Sequence, residues 1–260
     1  MRIKLKTLMA ALLAIAGLVL GAPPARAVLT VNDGDVLLGF RETASPQNAF
    51  VINLGQYTQF TNAAPGATLS FGSLSTYGAD LTATFGAGWS TRSDLYWGVI
   101  GNYSGAGVSI YASKARTVDA STPAVPVWSL SASQRTNTQA AVNTVKNNFI
   151  NTGVTTESSN TANAGFQTGT TAGKYYAAVN PATDFTTLSG GIEGSFSGTK
   201  VLDLFTLSSS PNLRLGALTI NDTSGAVTFS AVPEPSTYML FALSGVVFMT
   251  FVRRRRALKN

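Results

Sequence analysis

The apolar and polar positions divide the chain into a middle of short strand-like runs and two ends that are almost wholly apolar. In the middle, Asp35–Glu42 (DVLLGFRE) and Asn48–Tyr57 (NAFVINLGQY) are short apolar runs rich in strand formers. Ser45, Pro46, Gln47 and Asn48 suit a turn between them, which predicts a β-hairpin. Asp94–Tyr103 (DLYWGVIGNY) puts Leu95, Trp97 and Val99 on one face and Tyr96 and Ile100 on the other, the pattern of a strand covered on both sides. Gly105, Ala106 and Gly107 turn the chain into an antiparallel neighbour over Val108–Ala115. Further strands are expected over Tyr175–Val179, Lys200–Leu207, Leu213–Ile220 and Ala226–Ala231, with Gly225 available for a positive φ in the last hairpin turn. Val125–Leu130 suits only an edge position, because Pro123 and Pro126 limit its pairing.

One stretch follows the helical period instead. Ala141, Val142, Val145 and Phe149 form a stripe, capped upstream by Ser131 or Ser133 and ended by Asn151, Thr152 and Gly153. Its other face is Gln, Asn, Thr and Lys, so the helix should lie across the sheet and cover an apolar face. Residues 61–84 read as a long Gly/Ser/Ala-rich loop with room for one short turn of helix, and residues 151–173 as a mobile Thr/Ser/Asn/Gly-rich loop with too few apolar residues to order itself. Seven to nine short strands and one helix predict a mainly β body, an antiparallel β-sandwich or jelly-roll-like fold with one amphipathic helix.

The two ends change the picture from a globular domain to an exported one. Arg2, Lys4 and Lys6 precede the apolar run 8–22, and Ala25-Arg26-Ala27 follows the helix-breaking pair Pro23-Pro24. That is a secretory signal peptide over residues 1–27, with cleavage expected after Ala27 so that the mature chain begins at Val28. At the other end, residues 232–260 hold Pro233-Glu234-Pro235, an apolar run Tyr238–Val252 and the basic run Arg253, Arg254, Arg255 and Arg256. The prolines fix φ and block helix and sheet pairing, leaving an extended, accessible motif around Glu234. The 15-residue apolar run would make a helix of about 22 Å, short of the hydrocarbon core of about 30 Å. Tyr238 at one interface and a snorkelling Arg253 at the other recover part of the difference. The four arginines are expected to stay cytoplasmic as an anchor, which places the body, residues 28–231, across the inner membrane.

The order Pro-Glu-Pro, apolar run, arginine cluster resembles the PEP-CTERM sorting signal of Gram-negative bacteria, over the last 29 residues. The resemblance implies recognition by an exosortase and removal of the tail near Pro233-Glu234-Pro235. Signal peptidase and exosortase would be the processing partners, and the inner membrane a transient one. It further implies a host that makes exopolysaccharide or biofilm matrix, and a final location at the cell envelope, the surface or outside the cell. DVLLGFR, SDLYWGVIG, LDLF and the final hairpin resemble, more loosely, bodies found ahead of such tails, which brings no activity with it.

Charge and residue usage then remove whole classes. The formal charge of +6 sits in the ends: between Val28 and Val232 the chain has nine basic and eleven acidic residues, a net of −2. Without a basic face there is nothing to neutralise phosphates, so no nucleic-acid partner is expected. The absence of Cys and His excludes disulfides, the usual zinc sites, cysteine nucleophiles and Ser-His-Asp triads. No cofactor or metal is expected, and no enzyme activity. Asn32-Asp33-Gly34-Asp35 has oxygens for Ca²⁺ but lacks the other ligands of an EF-hand loop, and reads as a solvated turn. Trp89, Tyr96, Trp97, Tyr103 and Tyr111 lie near strand ends, where aromatics either fill cores or line a sugar-binding face. Asp94 with Trp97 is the first pair to test for glycan binding. Asn102-Tyr103-Ser104 and Asn221-Asp222-Thr223 match the N-glycosylation pattern. The expected role is structural or adhesive, with a carbohydrate-binding module for exopolysaccharide as the alternative.

Overall fold

The computed structural model describes residues 29–44, 48–105, 109–116, 131–150, 156–158, 163–167, 192–198, 200–207, 213–221 and 223–232. The signal peptide, Tyr175–Val179, Val125–Leu130 and the tail from Pro233 lie outside them. In chain order the elements are β1 (Asp35–Glu42), β2 (Ala49–Gln56), α1 (Thr58–Thr61), β3 (Thr68–Ser73), a 3₁₀ turn (Leu74–Tyr77), α2 (Gly78–Phe85), a second 3₁₀ turn (Trp89–Thr91), β4 (Leu95–Tyr103), β5 (Ser109–Ala115), α3 (Ala132–Ile150), β6 (Thr156–Ser158), β7 (Ala164–Gln167), β8 (Glu193–Ser195), β9 (Val201–Thr206), β10 (Leu213–Ile220) and β11 (Ala226–Ala231).

The protein is mainly β and antiparallel, as expected, but the described strands are not two stacked sheets. They form one sheet in the order β3-β11-β10-β9-β5-β4-β1-β2-β7-β6. Its eleventh strand, β8, lies on β4. β4 is long enough to serve two partners along one edge: Ile100–Tyr103 pair with β5, and Tyr96–Gly98 pair with β8. Ser113, fully buried, closes the fork by accepting from the Val99 amide at 2.7 Å and donating to the Ile192 carbonyl at 2.6 Å.

A sandwich gives way to a single sheet because the sheet curls and packs its concave face on itself. Five strands separate β2 from β11 in the strand order. At about 4.8 Å per strand a flat sheet would hold those two about 29 Å apart. Yet Phe60 of α1, which directly follows β2, meets Phe229 of β11 edge-on at 5.1 Å and stacks on Phe71 of β3 at 5.3 Å. The segment from β3 through the first 3₁₀ turn to α2 then runs from one edge of the sheet to the other, where α2 lies against β2 and β7 and Tyr77 meets Phe50 at 6.0 Å. This crossing occupies the stretch 61–84, expected as loop with one short turn of helix; it holds the strand β3, a 3₁₀ turn and most of the eight-residue α2.

Strict alternation sends side chains to both faces. Val36, Leu38 and Phe40 of β1, Leu95, Trp97 and Val99 of β4, and Leu218 and Phe229 fill the concave core. Leu37, Val51, Ile100, Ile110 and Phe205 face the other way, under Ala141, Val142 and Val145 of α3. The helical stripe is therefore as expected where it is described. Its other face is exposed where described, at Thr136, Asn137, Thr144 and Asn147, while Thr138 and Lys146 lie beside Val142 and Val145 on the covered side and are buried with them. Part of the expected mobile loop 151–173 is also ordered into the sheet: β7 pairs with β2, with Ala164 opposite Ile52 and fully buried.

If Phe60 is what fastens the two halves of the curl, Phe60→Ala should cost about 3–5 kcal/mol, as much as truncating a ring in the middle of the sheet. Urea unfolding checks this; an unchanged midpoint would show that the curl closes without α1.

Candidate functional site

The buried ions explain how a chain without disulfides fixes its strands. Arg41 of β1 donates from Nε to both Glu193 oxygens at 2.9 and 2.8 Å and lies over the Tyr96 ring, which holds β8 in place. Asp203, 1% exposed, receives both Arg116 and Arg214. Arg92 joins Glu42 at 2.8 Å to Asp94, with Nε 2.8 Å from Asp94 Oδ1. Each of the buried carboxylates Glu42, Glu193 and Asp203 is thus neutralised by an arginine, the residue whose fork matches a carboxylate.

The Asn32–Asp35 turn is similarly occupied. Asp35 accepts from the Asn32 amide at 2.7 Å and Asn53 Nδ2 at 2.8 Å, and also from Gln56. Asp33 accepts from the Ser104 hydroxyl at 2.6 Å and lies 3.7 Å from Lys146 Nζ. Burial works to raise the Asp33 pKa, but the Ser104 hydroxyl and amide and the Lys146 charge bring it below the ordinary value. Burial pushes Lys146 down. These oxygens face protein donors, which suits a latched turn and not a cation; among the described residues no group of three or more His, Cys, Asp or Glu is placed to hold a metal.

Of the glycan candidates, Trp97 is fully buried in the concave core and has no ring face in solvent. Asp94 is held by Arg92, whose hydrogen bond brings its pKa below the ordinary value. The two do not form a platform. Tyr111 is also buried and stacks on Tyr57 at 5.3 Å, while Tyr57 meets Tyr103 at 4.8 Å. Asn102 of the first glycosylation triplet is fully buried, donating to Asn143 at 2.8 Å and accepting from Lys146 at 3.2 Å. Asn221 of the second is exposed, but its side-chain oxygen accepts from the Thr223 and Ser224 amides at 3.0 and 2.8 Å and so shapes the turn. Gly225 closes that turn at φ 66°.

Trp89 is placed differently. It is half-buried in the second 3₁₀ turn and meets Phe196 at 5.4 Å, with Lys200 Nζ 3.6 Å from the Phe196 ring centre on the β8–β9 side. With Ser75, Ser90 and the Asn221–Gly225 turn these residues frame an open cleft of about 360 Å³. An aromatic edge, several hydroxyls and a lysine are the groups that hold a sugar ring. Trp89 was legible as an aromatic candidate and Asn221 only as part of a glycosylation triplet; that both share a cleft with Phe196 and Lys200 was not legible, because the residues come from three separate stretches that only the fold brings together.

The described body ends in β11, which lies between β10 and β3: Phe229 is opposite Leu218 on one side and Leu69 on the other. The last described contacts are the Ala231 amide to the Ala67 carbonyl at 2.9 Å and the Val232 amide to the Leu215 carbonyl at 3.0 Å. A β-rich body therefore runs without a break into its C-terminal signal. That signal is a PEP-CTERM protein-sorting motif, matched over residues 231–256, so the chain carries the tag of an exosortase-targeted exported protein. No curated protein and no solved structure matches the chain. Among the described residues no helix is long and apolar enough to cross a membrane; Tyr238–Val252 and Arg253–Arg256 lie outside them.

Asp94 supplies a pH test. Its folded-state pKa lies below 3.8, so its contribution is present above that value and is lost as pH falls through the folded pKa. Asp94→Asn should flatten the decline in stability between about pH 5 and about pH 2. Urea midpoints across that range check it, and an unaltered slope would mean that the Arg92 pair is too solvated to count.

Proposed function

We propose that this protein is a non-catalytic cargo, carried out by its signal peptide, held briefly in the inner membrane by its tail, and cut by an exosortase to leave the β-rich body at the cell envelope or in the extracellular matrix. The observation that carries this reading is the match of the sorting motif at 231–256, directly abutting β11. The role proposed for the body is structural or adhesive, in an exopolysaccharide or biofilm setting. The commitment of Glu42, Glu193 and Asp203 to arginines supports a non-catalytic role, because a glycosidase needs two carboxylates facing a substrate. The basic cluster Arg253–Arg256 would fix the orientation of the tail.

A second reading, a carbohydrate-binding module for exopolysaccharide, draws on the cleft at Trp89. The ring to change is Trp89, since Trp97 is inside the core.

Replacing Pro233, Glu234 and Pro235 by alanines should leave the full-length chain in the inner membrane; cell fractionation with immunoblotting reads this, and unchanged release counts against sorting. For the second reading, the released body should be retarded in gels containing the host polysaccharide. Trp89→Ala should weaken that retardation about tenfold or more, given about 1.5 kcal/mol for an aromatic contact. A wild-type body that migrates freely removes the carbohydrate reading and leaves the sorting reading standing.

A further inference from the structure

The strand register shows which end of the body faces the tail. β11 runs towards Val232, and its last residues lie beside the start of β10, with Gly216 opposite Ala231, and the start of β3, with Thr68 opposite Ser230. Following the ladder across the sheet, the same end carries Leu213 opposite Thr206, Thr206 opposite Tyr111, Tyr103 opposite Ser109, and Asp35 opposite Gln56. The cleft lies at the other end, because its Asn221–Gly225 turn is the hairpin between β10 and β11. The length of β11, six residues, separates the two ends by about 20 Å.

The chain allows little slack at the tail end. Only residues 233–237 stand between Val232, whose amide is still tied to Leu215, and the apolar run that begins at Tyr238. Five residues reach at most about 18 Å when fully extended. The end of the body that releases β11 must therefore sit within that distance of the lipid while the tail is attached. The surface there suits such a neighbour. Leu213 is 61% exposed and is the one large apolar side chain that the described residues leave in solvent. Tyr57 and Tyr103, both half-buried, lie at the same end, and tyrosine is a residue favoured at lipid–water boundaries.

We propose that, before the tail is cut, the body stands on the outer face of the inner membrane with its Leu213 end at the lipid surface and its Trp89–Lys200 cleft pointing away. This rests on the sorting reading above and adds an orientation to it. The exosortase must then reach Pro233-Glu234-Pro235 in a gap no wider than the extended five-residue linker, and the cleft is open to the periplasm while the tail is still attached.

The chain has no cysteine, so single cysteines report position without background. Leu213→Cys and Thr68→Cys probe the near end; Thr223→Cys and Ser75→Cys probe the far end, and all four positions are exposed. Full-length protein is made in cells that lack the exosortase, so that only lipid can shield it. Spheroplasts are treated with a membrane-impermeant maleimide. The expected result is labelling of Leu213→Cys and Thr68→Cys at least about fivefold slower than the far pair, as for groups seated at a lipid interface, with all four rates equal once detergent removes the bilayer. Equal rates in spheroplasts, or slow near-end labelling that persists in detergent, would overturn the orientation while leaving membrane attachment intact. Recovery of the chain wholly in the soluble fraction would overturn the sorting reading and this proposal with it.

Discussion

The ladder that holds β11 between β10 and β3 is the interaction on which the rest of the molecule depends. It closes the body at its C-terminal edge, and the sorting motif starts on its last residue. A fold that ended in a loose segment would give a processing enzyme slack to work with. Here the last backbone bond among the described residues, Val232 to Leu215, lies one residue before Pro233. Pro233, in the motif, has no N–H to donate to a ladder, and β11 ends two residues before it, at Ala231.

Holding such a sheet together without cysteine takes two devices. The first is burial on both faces. β1 is buried along its whole length, with Val36, Leu38 and Phe40 on one side and Leu37 on the other. The second is a set of arginine–carboxylate pairs at places where hydrophobic packing alone would not define the register. Arg41 with Glu193 ties a three-residue strand to the middle of the sheet, and Asp203 gathers arginines from β10 and from just beyond β5. Breaking such a pair strands a buried charge at a cost of about 3–5 kcal/mol, so these contacts specify the arrangement even where they add little net stability.

The strands that were legible in the sequence are those with two apolar faces or a strong turn. DVLLGFRE became β1 residue for residue, and the hairpin of β10 and β11 turns at Gly225 as its positive φ requires. The missed elements are those whose own residues are weak. β3 (TLSFGS) alternates exposed and half-buried positions at the edge of the sheet, so its Gly and Ser resembled loop. β8 (EGS) has no strand signal and exists because β4 has an unfilled edge and Arg41 supplies a partner for Glu193. Context decides such strands more than propensity does. The two-sheet expectation failed for a related reason: alternation reveals which residues face inward but not that β9 continues the sheet beside β5, and the curl depends on that pairing. The candidate cleft was half legible, since Trp89 stood out as an aromatic whereas its neighbours are assembled only by tertiary contact.

The central claim is that both apolar ends are addresses removed from a folded body. Intact mass spectrometry of the protein recovered from envelope and medium tests it directly. The account predicts a species that begins at Val28 and ends near Pro233-Glu234-Pro235, whatever sugar it carries. A cytosolic species that retains both Met1 and Asn260 would contradict it.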